Sequence, residues 1–153
     1  MDEIVARSLA KWPNVPAVYG WLSLDRRGNW LIKGERIANT ALREFIGRNY
    51  EADDQGRWYF QNGPQRVYVE LAYTPLVVHY QGEQLCDHCG RPFSAAAAFQ
   101  DDEGSVLLAG AGTVALLDDR DLDRFADRAP ALQPIERAAV PRRFGFQPEP
   151  KSG

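Results

Sequence analysis

Arg57-Trp58-Tyr59-Phe60-Gln61-Asn62-Gly63-Pro64-Gln65-Arg66-Val67-Tyr68-Val69-Glu70-Leu71 reads as two strands folded back on each other. Aromatic and β-branched side chains favour a pleated, half-buried surface, and Asn62-Gly63-Pro64 supplies the reversal. In the second arm Val67, Val69 and Leu71 alternate with Arg66, Tyr68 and Glu70, which buries one face and wets the other.

Working outward, the hairpin is preceded by Ala52-Asp53-Asp54-Gln55-Gly56, and the same signature recurs at Leu24-Asp25-Arg26-Arg27-Gly28 and Gln100-Asp101-Asp102-Glu103-Gly104. Asp bonds the backbone two residues on and Gly supplies a positive φ, so Asp-x-x-Gly between apolar runs predicts a type I turn closing a bulged hairpin. The first turn joins Tyr19–Leu24 to Asn29–Lys33. Beyond Pro75, Leu76–Tyr80 and Gln84-Leu85 form a further pair across Gln81-Gly82-Glu83. These runs predict seven to nine short strands, mostly in sequence-adjacent antiparallel pairs, because the connections are too short for parallel crossovers.

One principal helix is predicted from about Glu35 to Asn49, with Ile37, Ala41, Leu42, Phe45 and Ile46 on its apolar side and Phe45 at the centre of the core. Shorter helices are expected at Asp2 to Lys11, capped by Asp2 and ended by Pro13, and at Asp121 to Asp127. The fold class is therefore α+β: a mainly antiparallel sheet of several hairpins packed on one principal helix, with short N- and C-terminal helices. Residues 1–130 are expected to form one domain. Residues 131–153, with Pro134, Pro141, Pro148 and Pro150, are expected to be a partly disordered tail on which Phe144 and Phe146 still dock.

With 153 residues, 44% hydrophobic and 25% charged, the composition is that of a soluble globular domain. A net charge of −3 argues against a surface built for phosphate backbones, so nucleic acid is not an expected partner. No run approaches the roughly 18 apolar residues of a membrane span. The acidic N-terminus, Met1-Asp2-Glu3, is unlike an export signal, and two cysteines in a chain of this size fit a reducing compartment, so a cytoplasmic location is expected.

Two clusters carry chemistry. Cys86-Asp87-His88-Cys89-Gly90 places two thiols three positions apart, as in half of a zinc knuckle. Zinc takes four ligands, and only His79 and His88 remain as nitrogen donors; since a knuckle turn aims its middle residues away from the metal, the set reduces to Cys86, Cys89, His79 and an Asp. The tetrapeptide also resembles a redox dithiol, but Gly90-Arg91-Pro92-Phe93 does not start the helix that such a thiolate needs. Against both stands the plain reading of two small apolar side chains at a hairpin end. The second cluster is polar: Arg48, Asn49, Trp58, Gln61 and Asn62 surround the helix end and the following hairpin, as a ligand site or as caps and turn residues. Aromatics interleaved with Arg48, Arg57 and Arg66 admit a base-stacking sheet as well as a core. No nucleophile elbow, phosphate loop or His-Glu-x-x-His pattern occurs, so an enzyme is unsupported by motif.

The stretch Arg36-Ile37-Ala38-Asn39-Thr40-Ala41-Leu42-Arg43-Glu44-Phe45-Ile46-Gly47-Arg48-Asn49-Tyr50, continuing through Gly56-Arg57-Trp58-Tyr59-Phe60-Gln61-Asn62-Gly63-Pro64-Gln65-Arg66-Val67-Tyr68-Val69, resembles a proteobacterial family of uncharacterised proteins, a domain of unknown function. The resemblance runs from about Val15 to Phe125. It implies a Thr-His-Thr-Gly turn where this chain has Cys86 to Gly90, so the histidine aligns and the cysteines need not. It supplies no activity. The leading expectation is a noncatalytic binding or interaction module with an unidentified ligand or protein partner, centred on Arg48, Asn49, Trp58, Gln61 and Asn62. The alternative is a small zinc-binding or thiol-dependent protein using Cys86 and Cys89 with His79 or His88.

Overall fold

The structure is a computed structural model that describes residues 3–10, 12–128 and 131–151. The four turns with an Asp-x-x-Gly signature show how local sequence sets the fold. In each, one Asp carboxylate oxygen accepts two backbone N–H groups, from the second and fourth residues on: Asp25 from Arg27 and Asn29 (2.9 and 2.8 Å), Asp53 from Gln55 and Arg57 (both 2.9 Å), and Asp101 from Glu103 and Ser105 (3.0 and 2.8 Å). The fourth is Asp87, which accepts from Cys89 and Arg91 at 2.9 and 3.0 Å. Gly28, Gly56, Gly90 and Gly104 all hold φ near +80°, where a side chain is strained. The Cys-x-x-Cys segment is thus a hairpin turn of the same kind, set by Asp87.

These hairpins assemble into a strand-rich α+β fold whose described strands divide between two mixed sheets. The first contains β1 (Ala17–Leu24), β2 (Trp30–Ile32), β3 (Glu35–Arg36), β4 (Tyr50–Ala52), β5 (Trp58–Asn62) and β6 (Gln65–Leu71), in the order β3-β2-β1-β6-β5-β4. The second contains β7 (Leu76–Gln81), β8 (Gln84–Asp87), β9 (Ala97–Asp101), β10 (Val106–Gly110), β11 (Thr113–Leu117) and β12 (Gln133–Ile135), in the order β12-β9-β10-β11-β7-β8. Sequence-adjacent pairs are antiparallel, as expected. Three long-range pairs are parallel: β1 with β6, β7 with β11, and β9 with β12.

The helices are α1 (Glu3–Leu9), α2 (Thr40–Arg48), α3 (Leu122–Ala126) and α4 (Val140–Phe144). The expected cap Asp2 lies outside the described residues. Helix α2 starts at Thr40 rather than Glu35 because Asn39 caps it, its side-chain oxygen accepting from Leu42 N at 2.9 Å, while Glu35 and Arg36 pair with β2. That start sets the helical phase: Leu42 and Ile46 are buried and Phe45 is half-buried at the edge, its ring 5.5 Å from Phe60 at 84°. The expected central place of Phe45 belongs to Ile46. Asn39→Ala should lower stability by about 1 kcal/mol and Asn39→Asp much less, read as urea midpoints; equal losses would mean that the cap is not formed.

The apolar core is contiguous across both sheets, with Trp30, Tyr50, Phe60, Leu107, Leu108 and Leu117 among its largest fully buried side chains. The connection between the sheets is held by side chains. Tyr50 donates to Pro75 O (2.7 Å), Tyr73 donates to Asp101 (2.8 Å), and the Thr74 hydroxyl donates to Leu76 O and accepts from Leu116 N.

Residues 131–151, read from their prolines as part of a partly disordered tail, form a strap in the structure; residues 129 and 130, at the expected domain boundary, lie outside the described set. β12 extends the second sheet, and Val140 and Phe146 are buried. Beyond α4 the chain reaches the first sheet, where Gln147 N donates to Gly56 O and Leu71 N to Pro148 O, both at 2.8 Å. The strap spans both sheets.

Candidate functional site

The polar cluster at the end of α2 is brought together largely through backbone partners. Asn49 closes the helix, its N–H donating to Ile46 O and its side chain to Phe45 O. Gln61 donates to Gly63 O and Gln65 O, and Asn62 donates to Gln65 Oε1 (3.1 Å). Trp58 is half-buried with its ring 4.9 Å from Tyr50, and Arg48 is exposed. The amides therefore serve the cap and the turn, and none of these five side chains lines the cavities described below.

The aromatics split by strand parity. Tyr50 and Phe60 enter the core, whereas Tyr19, Tyr59 and Tyr68 form a ladder on the other face. Tyr19 stacks on Tyr68 at 4.7 Å and 12°, Arg57 lies 4.6 Å from the Tyr68 ring, and Arg66 lies 3.9 Å from that of Tyr59. With these ring faces covered, Tyr59 and Tyr68 are each only 5% exposed, so the ladder offers no open platform for a base.

The Cys and His residues take separate roles. His79 and Cys86 face each other across β7 and β8, where Cys86 donates to Gln81 Oε1 at 3.4 Å. His88 turns inward between Trp30 and Tyr50, at ring distances of 5.1 and 5.4 Å, with Nδ1 accepting from Val77 N at 3.2 Å. Cys89 packs against Gly47, and burial, reinforced by the Asp87 charge, pushes its thiol up to about 12, which keeps it protonated at neutral pH. Among the described residues no group of three or more His, Cys, Asp or Glu is arranged to hold a metal ion.

A larger concavity forms where the turns of the two sheets meet. Arg26, in the Asp25–Gly28 turn, donates to Ser105 Oγ on the Asp101 turn at 2.7 Å. Beside it lies a cleft of about 680 Å³ lined by apolar Val106, Leu116, Leu117 and Leu122, with Arg26, Arg27, Glu103 and Asp119 among its charged residues. Arg27 and Asp119 form a two-point ion pair at 3.0 and 3.2 Å, and Arg27 also borders an adjoining cavity of about 330 Å³ with His79, Tyr80 and Asp121. Tyr73 lies between two guanidinium groups, Arg26 at 5.1 Å and Arg137 at 5.0 Å. Sequence reading assigned none of Arg26, Arg27, Ser105 and Leu122 to a site; the local signals were a pair of arginines inside a turn and Leu122 on the apolar face of the predicted helix from Asp121 to Asp127.

A family model described as "Protein of unknown function (DUF2946)" matches residues 1–151. The chain belongs to the DUF2944 family. This DUF2944 chain is similar in fold to the crystal structure of a DUF1285 family protein from Silicibacter pomeroyi DSS-3, with a TM-score of 0.58 and 19% identity, covering 86% of each chain. It is also similar to that of a DUF1285 family protein from Shewanella baltica OS155, with a TM-score of 0.54 and 14% identity over 71% of this chain and 92% of the other. No curated protein matches the chain. The comparisons thus give a family and a fold without an indicated function. Among the described residues no helix is long and apolar enough to cross a membrane.

Proposed function

We propose that this chain is a noncatalytic binding module, cytoplasmic and not directed at nucleic acid, whose ligand site is the cleft between the two sheets. The observation that carries this reading is the cleft itself: about 680 Å³, with an apolar lining and charged groups from both sheets, a size and character typical of small-molecule sites. The acidic net charge and the covered faces of the tyrosine ladder favour a ligand other than nucleic acid.

Ala72 is exposed and lines the cleft, so Ala72→Trp should fill it with little burden on the core. In a thermal-shift screen of polar and amphipathic metabolites, compounds that raise the melting temperature of the unmodified protein should fail to raise that of Ala72→Trp, whose far-UV circular dichroism should be unchanged. Ligands retained by a folded Ala72→Trp variant would place the site elsewhere.

A further inference from the structure

We infer that the ligand of this cleft is a monocarboxylate with an apolar body, and that Arg26 receives the carboxylate. The inference rests on the reading of the cleft as the binding site. The arginines around it differ in one respect. Arg27 is matched by Asp119, Arg137 by Glu103 and Arg120 by Asp118, whereas Arg26, among the described residues, has no carboxylate within ion-pair distance. Its hydrogen bond goes to the neutral Ser105 hydroxyl, and its guanidinium lies over Tyr73.

Arg26 is half-buried, so its charge is partly removed from water without an opposing charge, and an anion in the cleft would relieve that cost. A guanidinium offers five N–H donors in a planar fork that matches a carboxylate, and Ser105 accepts from one nitrogen. The acids lining the cleft are already engaged. Asp25 accepts from the Arg27 and Asn29 backbones and the Asn29 side chain, Asp119 is held by Arg27, and Glu103 by Arg137. They still disfavour a second negative charge, and with Asp25, Glu103 and Asp119 on the lining against Arg26 and Arg27, the site fits a carboxylate better than a phosphate dianion. Val106, Leu116, Leu117 and Leu122 then require an apolar body on the acid.

The test is calorimetric titration of the full chain with hexanoate, octanoate and phenylacetate, alongside hexanol, octanol and hexyl phosphate. The carboxylates should bind about tenfold or more tightly than the alcohols of equal length and tighter than hexyl phosphate, with affinity about tenfold lower in Arg26→Gln and absent in Ala72→Trp. The comparison among ligands on the unmodified protein stands even if Arg26→Gln folds poorly. Alcohols binding as tightly as acids, phosphate binding more tightly, or no probe binding would each overturn the carboxylate. If the probes bind without that preference but Ala72→Trp still blocks them, the cleft remains the site; binding that survives Ala72→Trp overturns both readings.

Discussion

Gly56→Ala should destabilise the protein by about 3–5 kcal/mol or leave it insoluble, whereas Gly104→Ala, at the same position of a sister turn, should cost only about 1–2 kcal/mol. Both glycines hold positive φ, +77° and +86°, so both variants bear the strain of a side chain in the left-handed region. They differ in what a Cβ would meet. At Gly104 nothing lies within 4 Å, while at Gly56 the Cβ would lie 2.1 Å from the carbonyl oxygen of Gly145 and 3.1 Å from Phe146 Cα. Those are backbone atoms, which no rotamer change can move aside. The strap would have to lift, breaking the bonds from Gln147 to Gly56 and Gln55 and drawing Phe146 out of the core. Urea denaturation of both variants measures the difference; equal losses would show that the strap does not dock on this turn.

The same contrast marks what sequence could show. Turns are local, and Asp-x-x-Gly carries its own mechanism, so the turns at Asp25, Asp53 and Asp101 were legible before any tertiary information. The turn at Asp87 has the same Asp-x-x-Gly spacing, and there the flanking thiols admit zinc or dithiol chemistry beside a plain hairpin end, which is what the structure forms. Hairpins followed from the turns, but the parallel pairing of β1 with β6 joins residues such as Val18 and Val67, and only the assembled sheet specifies that register. The strap was legible only in the docking of Phe144 and Phe146: its prolines exclude long regular elements, while its path is set by contacts with the rest of the chain. For the site, the amides at 49, 61 and 62 were visible as a polar cluster; backbone carbonyls account for Asn49 and Gln61, and the Gln65 side chain accounts for Asn62. Arg26 stood in plain view inside a predicted turn. Its unmatched charge and the apolar cleft beside it arise only where the Asp25 turn of one sheet meets Ser105 of the other.

His88 should make the protein lose stability as pH falls below neutrality. Its ring lies between Trp30 and Tyr50, and a Cβ on Gly28 would come within 2.7 Å of the His88 Cβ, so the first turn packs closely against it. The Val77 amide can only donate, which makes Nδ1 the acceptor and leaves the proton on Nε2, a buried atom with no partner among the described residues. A second proton would have to displace Val77 and place a charge in the core. Burial first, and then the nearby Arg91 guanidinium, lower the pKa of His88 to about 3 from an ordinary 6.5, with the opposing pull of Asp25 outweighed. Between these two values the unfolded chain binds a proton that the folded chain refuses, so stability falls as pH falls. About 2 kcal/mol should be lost between pH 7.5 and pH 5, and about 4–5 kcal/mol by the time the folded histidine itself titrates. Asp53 and Asp118 are held below the usual carboxylate range because hydrogen bonds to Arg57 and Arg120, among others, outweigh their burial, so their contributions persist to lower pH and do not mask this window. Urea midpoints of the unmodified chain and His88→Gln, measured from pH 7.5 to pH 4.5, isolate the effect. The variant should be less stable at pH 7.5 and lose much less than the unmodified chain on acidification; parallel pH slopes would mean that His88 is protonated within the folded protein.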